Sequence, residues 1–282
     1  MSKVAIVTDS TSDIPKEIGE QLNIKIIPLK VIFGDESFLD DGEQITLEEF
    51  YEKIRTSEKL PTTTQPTPKD FIEAYNEILK ESDSIISIHI SKKMSGTINS
   101  AELAKKQLPG KDIEIVDSEV VHFPLGFLAM NAATLAQEDK TKEEILKGLD
   151  EFKSKIKVLF VPSTLEYLKK GGRIGKAKGL IASLLEIKPI LTLHDGEVAQ
   201  FKTTRRWNQA KTELINSMKT MVKEPRKLIV SIGDSDAKKD AIDMYERIKD
   251  TFNPKEIIRV DIGAIVGTHL GPGGLGITFY EE

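Results

Sequence analysis

Val4-Ala5-Ile6-Val7, followed at once by Thr8-Asp9-Ser10-Thr11-Ser12-Asp13 and then Pro15, is the stretch that decides the fold. Four apolar residues in a row suit a strand buried on both faces, as strands of parallel sheets are. The polar hexapeptide carries the chain out of that strand. Proline suits the first turn of a helix, where its missing N–H would have had no partner anyway. Strand, polar loop and helix in succession make the repeating unit of an α/β protein.

The same rhythm recurs outward from this opening. Asn23 stops the first helix, and Ile24 to Phe33 is apolar and β-branched, which predicts a strand. Thr46-Leu47-Glu48-Glu49 is a capping box, in which the Thr hydroxyl and the Glu three residues on satisfy orphan N–H groups. Thr67-Pro68-Lys69-Asp70 opens another helix and Thr141-Lys142-Glu143-Glu144 caps one more. Ser84 to His89 and Ile113 to Val116 read as strands, and Thr97 to Gln107 as a helix. Leu125 to Gln137 reads as a helix apolar on most of its circumference, which implies burial. The rhythm changes near Lys157. Val158 to Val161 is a strand, and Ser163-Thr164-Leu165-Glu166 caps a short helix. A glycine-rich basic segment, Gly171 to Gly179, follows, and then a hairpin, Ile187 to Leu193 and Val198 to Thr203, turning at Asp195-Gly196. Leu228 to Ser231, Ile257 to Asp261 and Gly276 to Tyr280 supply the last strands. The fold class expected is α/β in two domains. Residues 1–157 form a mostly parallel sheet with flanking helices, and residues 158–282 a smaller α+β domain.

Composition narrows the function. With 282 residues, 39% hydrophobic and 30% charged, the chain can bury its own core. A net charge of −5 gives no global pull toward phosphate backbones, so nucleic acid is not an expected partner. The absence of cysteine excludes disulfides, thiolate metal sites and cysteine nucleophiles, and fits a reducing compartment. No apolar stretch approaches the ~18 residues of a membrane span. Met1-Ser2-Lys3 opens no signal-peptide pattern, so a cytoplasmic location is expected.

Several motifs fail on inspection. Gly271-Pro272-Gly273-Gly274-Leu275-Gly276 matches the dinucleotide fingerprint but leads into the last strand, with no helix to hold a pyrophosphate. Gly171 to Lys176 has the wrong glycine spacing for a phosphate loop, and Ala177 stands where a Ser or Thr would bind magnesium. The four histidines (His89, His122, His194, His269) lack helical pair spacing, so zinc is not expected. Asp9, Asp13, Asp40 and Asp41 could hold magnesium but read better as helix caps and turns. No metal and no cofactor is therefore expected.

Three loops remain, each with neutral hydroxyls and two of them beside glycine. They are Thr62-Thr63-Thr64-Gln65-Pro66-Thr67, Ser91-Lys92-Lys93-Met94-Ser95-Gly96-Thr97 and Thr268-His269-Leu270-Gly271, all placed at strand ends or strand-to-helix turns. In open α/β sheets the ligand crevice lies outside the carboxyl ends of the strands. Helix N-termini there supply free N–H groups, hydroxyls add donors without charge, and a histidine can adjust its protonation to the ligand. Taken one loop at a time, hydroxyls at helix starts are most often caps. His89, within a strand, reads as a satisfied polar core residue. The residues by themselves reach as far as an α/β protein with a small-anion site.

At these loops the chain resembles the DegV family, fatty-acid-binding proteins that serve bacterial fatty acid kinase. The likeness rests on Thr8-Asp9-Ser10-Thr11-Ser12-Asp13, Thr63-Thr64-Gln65-Pro66, Ser95-Gly96-Thr97 after Ser87-Ile88-His89-Ile90, Lys170-Gly171-Gly172-Arg173-Ile174, and Thr268-His269-Leu270-Gly271 with Gly276. The ordered set spans the whole chain. The resemblance implies a fatty acid held between two domains. It gives the carboxylate to Thr63, Ser95 and His269, with Thr64, Gly96 and Thr97 as the supporting loop. Arg173 and Arg205 match basic positions for the partner or the phosphoryl group. Thr64 departs from a common serine, and Lys92-Lys93 from a Ser-Gly pair. The implied function is non-enzymatic: a lipid carrier that presents the carboxylate to a kinase for conversion to acyl-phosphate, ATP being bound by that kinase. Expected partners are a long-chain fatty acid, the kinase catalytic subunit and, transiently, a membrane surface. The tail would need an apolar slot near Phe123 to Met130 or Leu180 to Leu185, opening at Gly126, Ala129 or Ala182. Two alternatives stay open: a Ser/His acyl hydrolase using Ser95, His269 and Asp9, and a regulatory module binding a small anion.

Overall fold

The computed structural model describes residues 3–183 and 187–282, and by its contacts the chain divides into two units. The first comprises residues 1–46 and 61–154, the second residues 47–60 and 155–282. The sequence reading assigns residues 47–60 to the first domain. The structure gives the helix Leu47–Thr56 to the second, which makes the two units nearly equal in length rather than the second smaller.

In the first unit β1 (Val4–Asp9) is the centre of a parallel sheet with β2 (Ile24–Ile27), and the predicted strand from Ile24 to Phe33 does not run through. Pro28 intervenes, with no N–H to donate to a ladder. The chain restarts as β3 (Lys30–Phe33), which pairs antiparallel with β4 (Glu36–Leu39) and β5 (Thr62–Thr64) in a separate small sheet. β6 (Ser84–His89) and β7 (Asp112–Asp117) complete the parallel sheet in the order β2-β1-β6-β7. Helices Pro68–Ile78 and Thr97–Lys106 pack Phe71, Tyr75, Ala101 and Ala104 over Val7, Ile27, Ile85 and Ile113. Helix Phe123–Gln137 packs on β1, β2 and β6. Thr67 and Asp70 form a reciprocal capping box, and Thr141 and Glu144 exchange the same pair of bonds.

The second unit is built on β8 (Lys157–Val161), β9 (Lys188–His194), β10 (Glu197–Thr204), β11 (Leu228–Ser235), β12 (Glu256–Asp261) and β13 (Gly274–Glu281), ordered β10-β9-β8-β13-β11-β12. Among the described residues of this sheet only β11 and β12 pair in parallel. The β9–β10 hairpin turns at Asp195 (φ 51°) and Gly196 (φ 75°), the left-handed pair that a two-residue hairpin demands. Helices Trp207–Met221 and Lys238–Phe252 bury Leu214, Met218, Met244 and Ile248 among Leu159, Val230, Ile232 and Ile277. The helix Leu47–Thr56 is tied in through the Tyr51 hydroxyl, which donates to the Ile262 carbonyl at 2.7 Å. No described helix is long and apolar enough to cross a membrane.

Candidate functional site

The Thr8 to Asp13 stretch ends β1 and turns through a short 3-10 helix, Ser10–Ser12, and its Asp9 carboxylate is spent on structure. The buried Asp9 carboxylate accepts from the Thr11 amide (3.1 Å) and hydroxyl (2.5 Å). It also meets His89 Nδ1 (2.9 Å) and accepts from the Ile90 amide (3.1 Å). His89 Nε2 bonds Ser87 Oγ at 2.7 Å, and the Tyr75 hydroxyl donates to the same Ser87 at 2.8 Å. This chain of four side chains lies wholly inside the first unit and joins the carboxyl ends of β1 and β6. His89 is the satisfied core histidine that the sequence reading expects. Asp9, the expected third member of a hydrolase triad, is committed to His89 instead. Asp13 likewise pairs with His122, and Asp41 accepts from the Glu43 and Gln44 amides. Among the described residues no group of three or more histidine or acidic side chains is placed to hold a metal ion.

Thr63 lies on β5, an edge strand where the sequence reading has a loop. Its register partner is the buried Val31, so Thr63 shares the inward face and is half-buried. Thr62 and Thr64 alternate to the exposed face. In the same unit Ser95 sits in the turn before helix Thr97–Lys106. Its Oγ accepts from the Thr97 amide at 3.3 Å and shares a hydrogen bond with the buried Thr97 hydroxyl at 2.8 Å. Either hydroxyl can donate in the second bond, and where Thr97 donates the Ser95 hydrogen is left for another acceptor. Gln65 bridges these two segments. Its amide donates to Ser100 Oγ at 3.4 Å and lies where a Cβ on Gly96 would stand, 2.5 Å away. Gln65 is a connecting residue that the reading of the residues missed. It sits in a quoted motif, but nothing in its spacing announces its contact.

His269, in the second unit, stands in the last turn of helix Ala264–Leu270, where the sequence reading has a loop. Burial, and then the positive charge of Arg173, hold the ring down at a pKa of about 4, so it is uncharged at neutral pH. Arg173 is half-buried and donates from Nη1 to the Gly171 carbonyl at 2.7 Å. Burial lowers its own pKa, which leaves a guanidinium still charged at neutral pH. Thr268 does not join the donor set, because its buried hydroxyl turns back to the Ala264 carbonyl at 2.8 Å. Arg205 lies on an exposed turn between β10 and helix Trp207–Met221, and Lys176 is paired with Asp195 at 2.8 Å.

The expected opening at Gly126 is filled. A Cβ there would lie 2.8 Å from the Ser12 carbonyl oxygen and 3.2 Å from both Ile14 and Phe123. The glycine serves close approach of helix Phe123–Gln137 to the 3-10 turn, and Phe123, Leu125 and Ala129 are core. The other expected lining, Leu184 and Leu185 with the side chain of Ala182, lies outside the described residues. A groove of about 430 Å³ in the second unit has mostly charged walls, with Glu48, Glu52, Asp234 and Asp261 facing Arg55 and Lys238. That lining does not suit a hydrocarbon tail.

The comparisons with known proteins fit this architecture along its length. The family described as an uncharacterised protein of the DegV family matches residues 3–282. Protein DegV of Bacillus subtilis is 34% identical over 275 residues, covering 97% of this chain and 98% of that one. A structure of a fatty-acid-binding DegV family protein from Thermus thermophilus superposes with a TM-score of 0.93 at 33% identity, covering 100% of both chains. The structure of DegV from Bacillus subtilis, called a fatty acid binding protein, gives a TM-score of 0.92 at 32% identity, again covering 100% of both chains. A match from residue 3 to the end of the chain, with relatives a third identical over nearly their full length, makes this chain a member of the DegV family.

Proposed function

We propose that this protein binds a long-chain fatty acid, its carboxylate held by Thr63, Ser95 and His269, and presents it to a partner kinase that makes acyl-phosphate. The observation that carries the reading is the uncharged, buried His269 ring beside the Arg173 guanidinium. A carboxylate leaving water needs paired donors or it takes up a proton. A neutral imidazole N–H and two hydroxyls donate to it without fixing a competing counter-ion, and the nearby guanidinium favours the anion. The fatty acid bound by the DegV relatives supports the same ligand class here. A tail of about fifteen carbons would gain roughly 12 kcal/mol gross at about 0.8 kcal/mol per methylene. Association and ordering costs remove much of that. Arg173 is the better placed of the two arginines to meet a phosphoryl group, because it already accompanies His269.

The hydrolase alternative is weakened by the same geometry. Asp9 serves His89, and a ring with a pKa of about 4 is a poor base at neutral pH. Mass spectrometry of lipid co-purifying with the folded protein tests the ligand class, and a fatty acid is expected. Ser95→Ala and His269→Ala should each weaken fatty acid binding, and kinase-coupled acyl-phosphate formation should fall with it. Wild-type values in both variants would sink the site, and ester turnover by the pure protein that is lost in Ser95→Ala would favour the hydrolase.

A further inference from the structure

Gly171 is a glycine whose backbone does not require one. It closes the helix Glu166–Lys170 with φ −73° and ψ −9°, right-handed geometry open to every residue. Gly172 and Gly175, in the same segment, have φ of 73° and 52°, where any side chain is strained. At Gly171 the obstacle is space. A Cβ would stand 2.3 Å from His269 Nδ1 and 3.0 Å from the Tyr167 carbonyl oxygen. The contact is reciprocal in kind: a Cβ on Gly271, just past His269, would strike the Tyr167 ring at 2.2 Å. The two short helices therefore interlock through two bare Cα positions. Neither obstacle at Gly171 yields easily, because one is backbone and the other is a rigid ring on two torsions.

We infer that Gly171 is a positioning residue of the head-group site: its missing side chain is the seat that holds the His269 ring where a carboxylate would meet it. The part of this inference that concerns ligand affinity rests on the proposed role of His269; the seating of the ring does not. An alanine keeps the backbone carbonyl that accepts from Arg173, so Gly171→Ala reads the seat without removing that bond. Gly179→Ala is the matched control, since a Cβ there meets nothing within 4 Å.

The test titrates the histidines by NMR, the resonance absent from His269→Ala identifying the ring. Displaced from its buried seat beside Arg173, the ring of Gly171→Ala should titrate well above about 4, toward the ordinary 6.5, while Gly179→Ala leaves it in place. Oleate binding should weaken by about tenfold in Gly171→Ala. Added to His269→Ala the same substitution should cost less than about twofold, because it acts through a ring no longer there. If Gly171→Ala alone does not fold, the double variant should be more stable than it, since the ring at 2.3 Å is gone and only the 3.0 Å approach to the Tyr167 carbonyl remains. An unmoved titration, or binding losses that simply add, would overturn the inference. Wild-type oleate binding by His269→Ala would instead sink the head-group reading, and the titration alone would then decide whether Gly171 seats the ring.

Discussion

A histidine that folding buries beside an arginine is a base that folding weakens. His269 drops from an ordinary 6.5 to about 4, so between those values the unfolded chain takes up a proton that the folded chain refuses. Stability is therefore full above about pH 6.5 and falls as pH drops toward 4, by up to about 3 kcal/mol. Urea unfolding at about pH 7.5 and about pH 5 should show the wild type losing roughly 2 kcal/mol more than His269→Gln. Equal losses would remove the cause assigned here. The Asp9 carboxylate meets four donor groups and has no exposed surface. Asp9→Ala strands those partners in the core and should cost about 3 kcal/mol or more, read as a lowered urea midpoint. At this scale the sequence disclosed chemical character but not allegiance. Hydroxyls at Thr63, Ser95 and Thr268 look alike in sequence, yet Thr268 spends its proton on its own helix. The bonds of Asp9 and His89, eighty residues apart, depend on β1 and β6 lying side by side.

Elements were legible where periodicity and capping agree, as at Thr67-Pro68-Lys69-Asp70 and at the Asp195-Gly196 hairpin. They were illegible where one apolar run serves two sheets. Nothing in the hydrophobicity of Ile24 to Phe33 marks the change of partner, and only Pro28 carries the signal. Three threonines in a row read as a loop because their strand is short and on an edge, two of its three side chains exposed. Gly126 is the element-scale lesson in packing. Alanine should favour a helix interior by about 1 kcal/mol over glycine. Here its methyl would meet the Ser12 carbonyl at 2.8 Å, so Gly126→Ala should be net destabilising by about 1–2 kcal/mol. A denaturation midpoint at or above wild type would show that the turn yields without cost. Gly96→Ala should be milder, because its obstacle is the movable end of the exposed Gln65 side chain.

At the scale of the molecule, the alternation of strands and helices gave two units, but no composition shift could reveal that the second borrows a helix from early in the chain. Helix Leu47–Thr56 is amphipathic and well formed on its own terms, so sequence alone leaves its partner open. The structure commits it through Phe50 and Tyr51. Both rings crowd Gly267 so closely that a Cβ there would lie 2.8 Å from Phe50 and 2.7 Å from the Tyr51 hydroxyl, which in turn caps the Ile262 carbonyl. Phe50 and Ile54 are at most 2% exposed, apolar surface that helix Ala264–Leu270 helps to cover. A fragment of residues 155–282 would lose that cover on the element that carries His269. Burying two such side chains contributes roughly 3–6 kcal/mol, a large share of an ordinary domain's stability. The fragment should therefore unfold with a shallow, poorly cooperative urea transition and bind a hydrophobic dye. Joining residues 47–60 to its N-terminus through a flexible linker should restore a steep transition and lower the dye signal. A cooperative transition in the bare fragment, no less stable than the linked form, would show that the second unit does not depend on the borrowed helix.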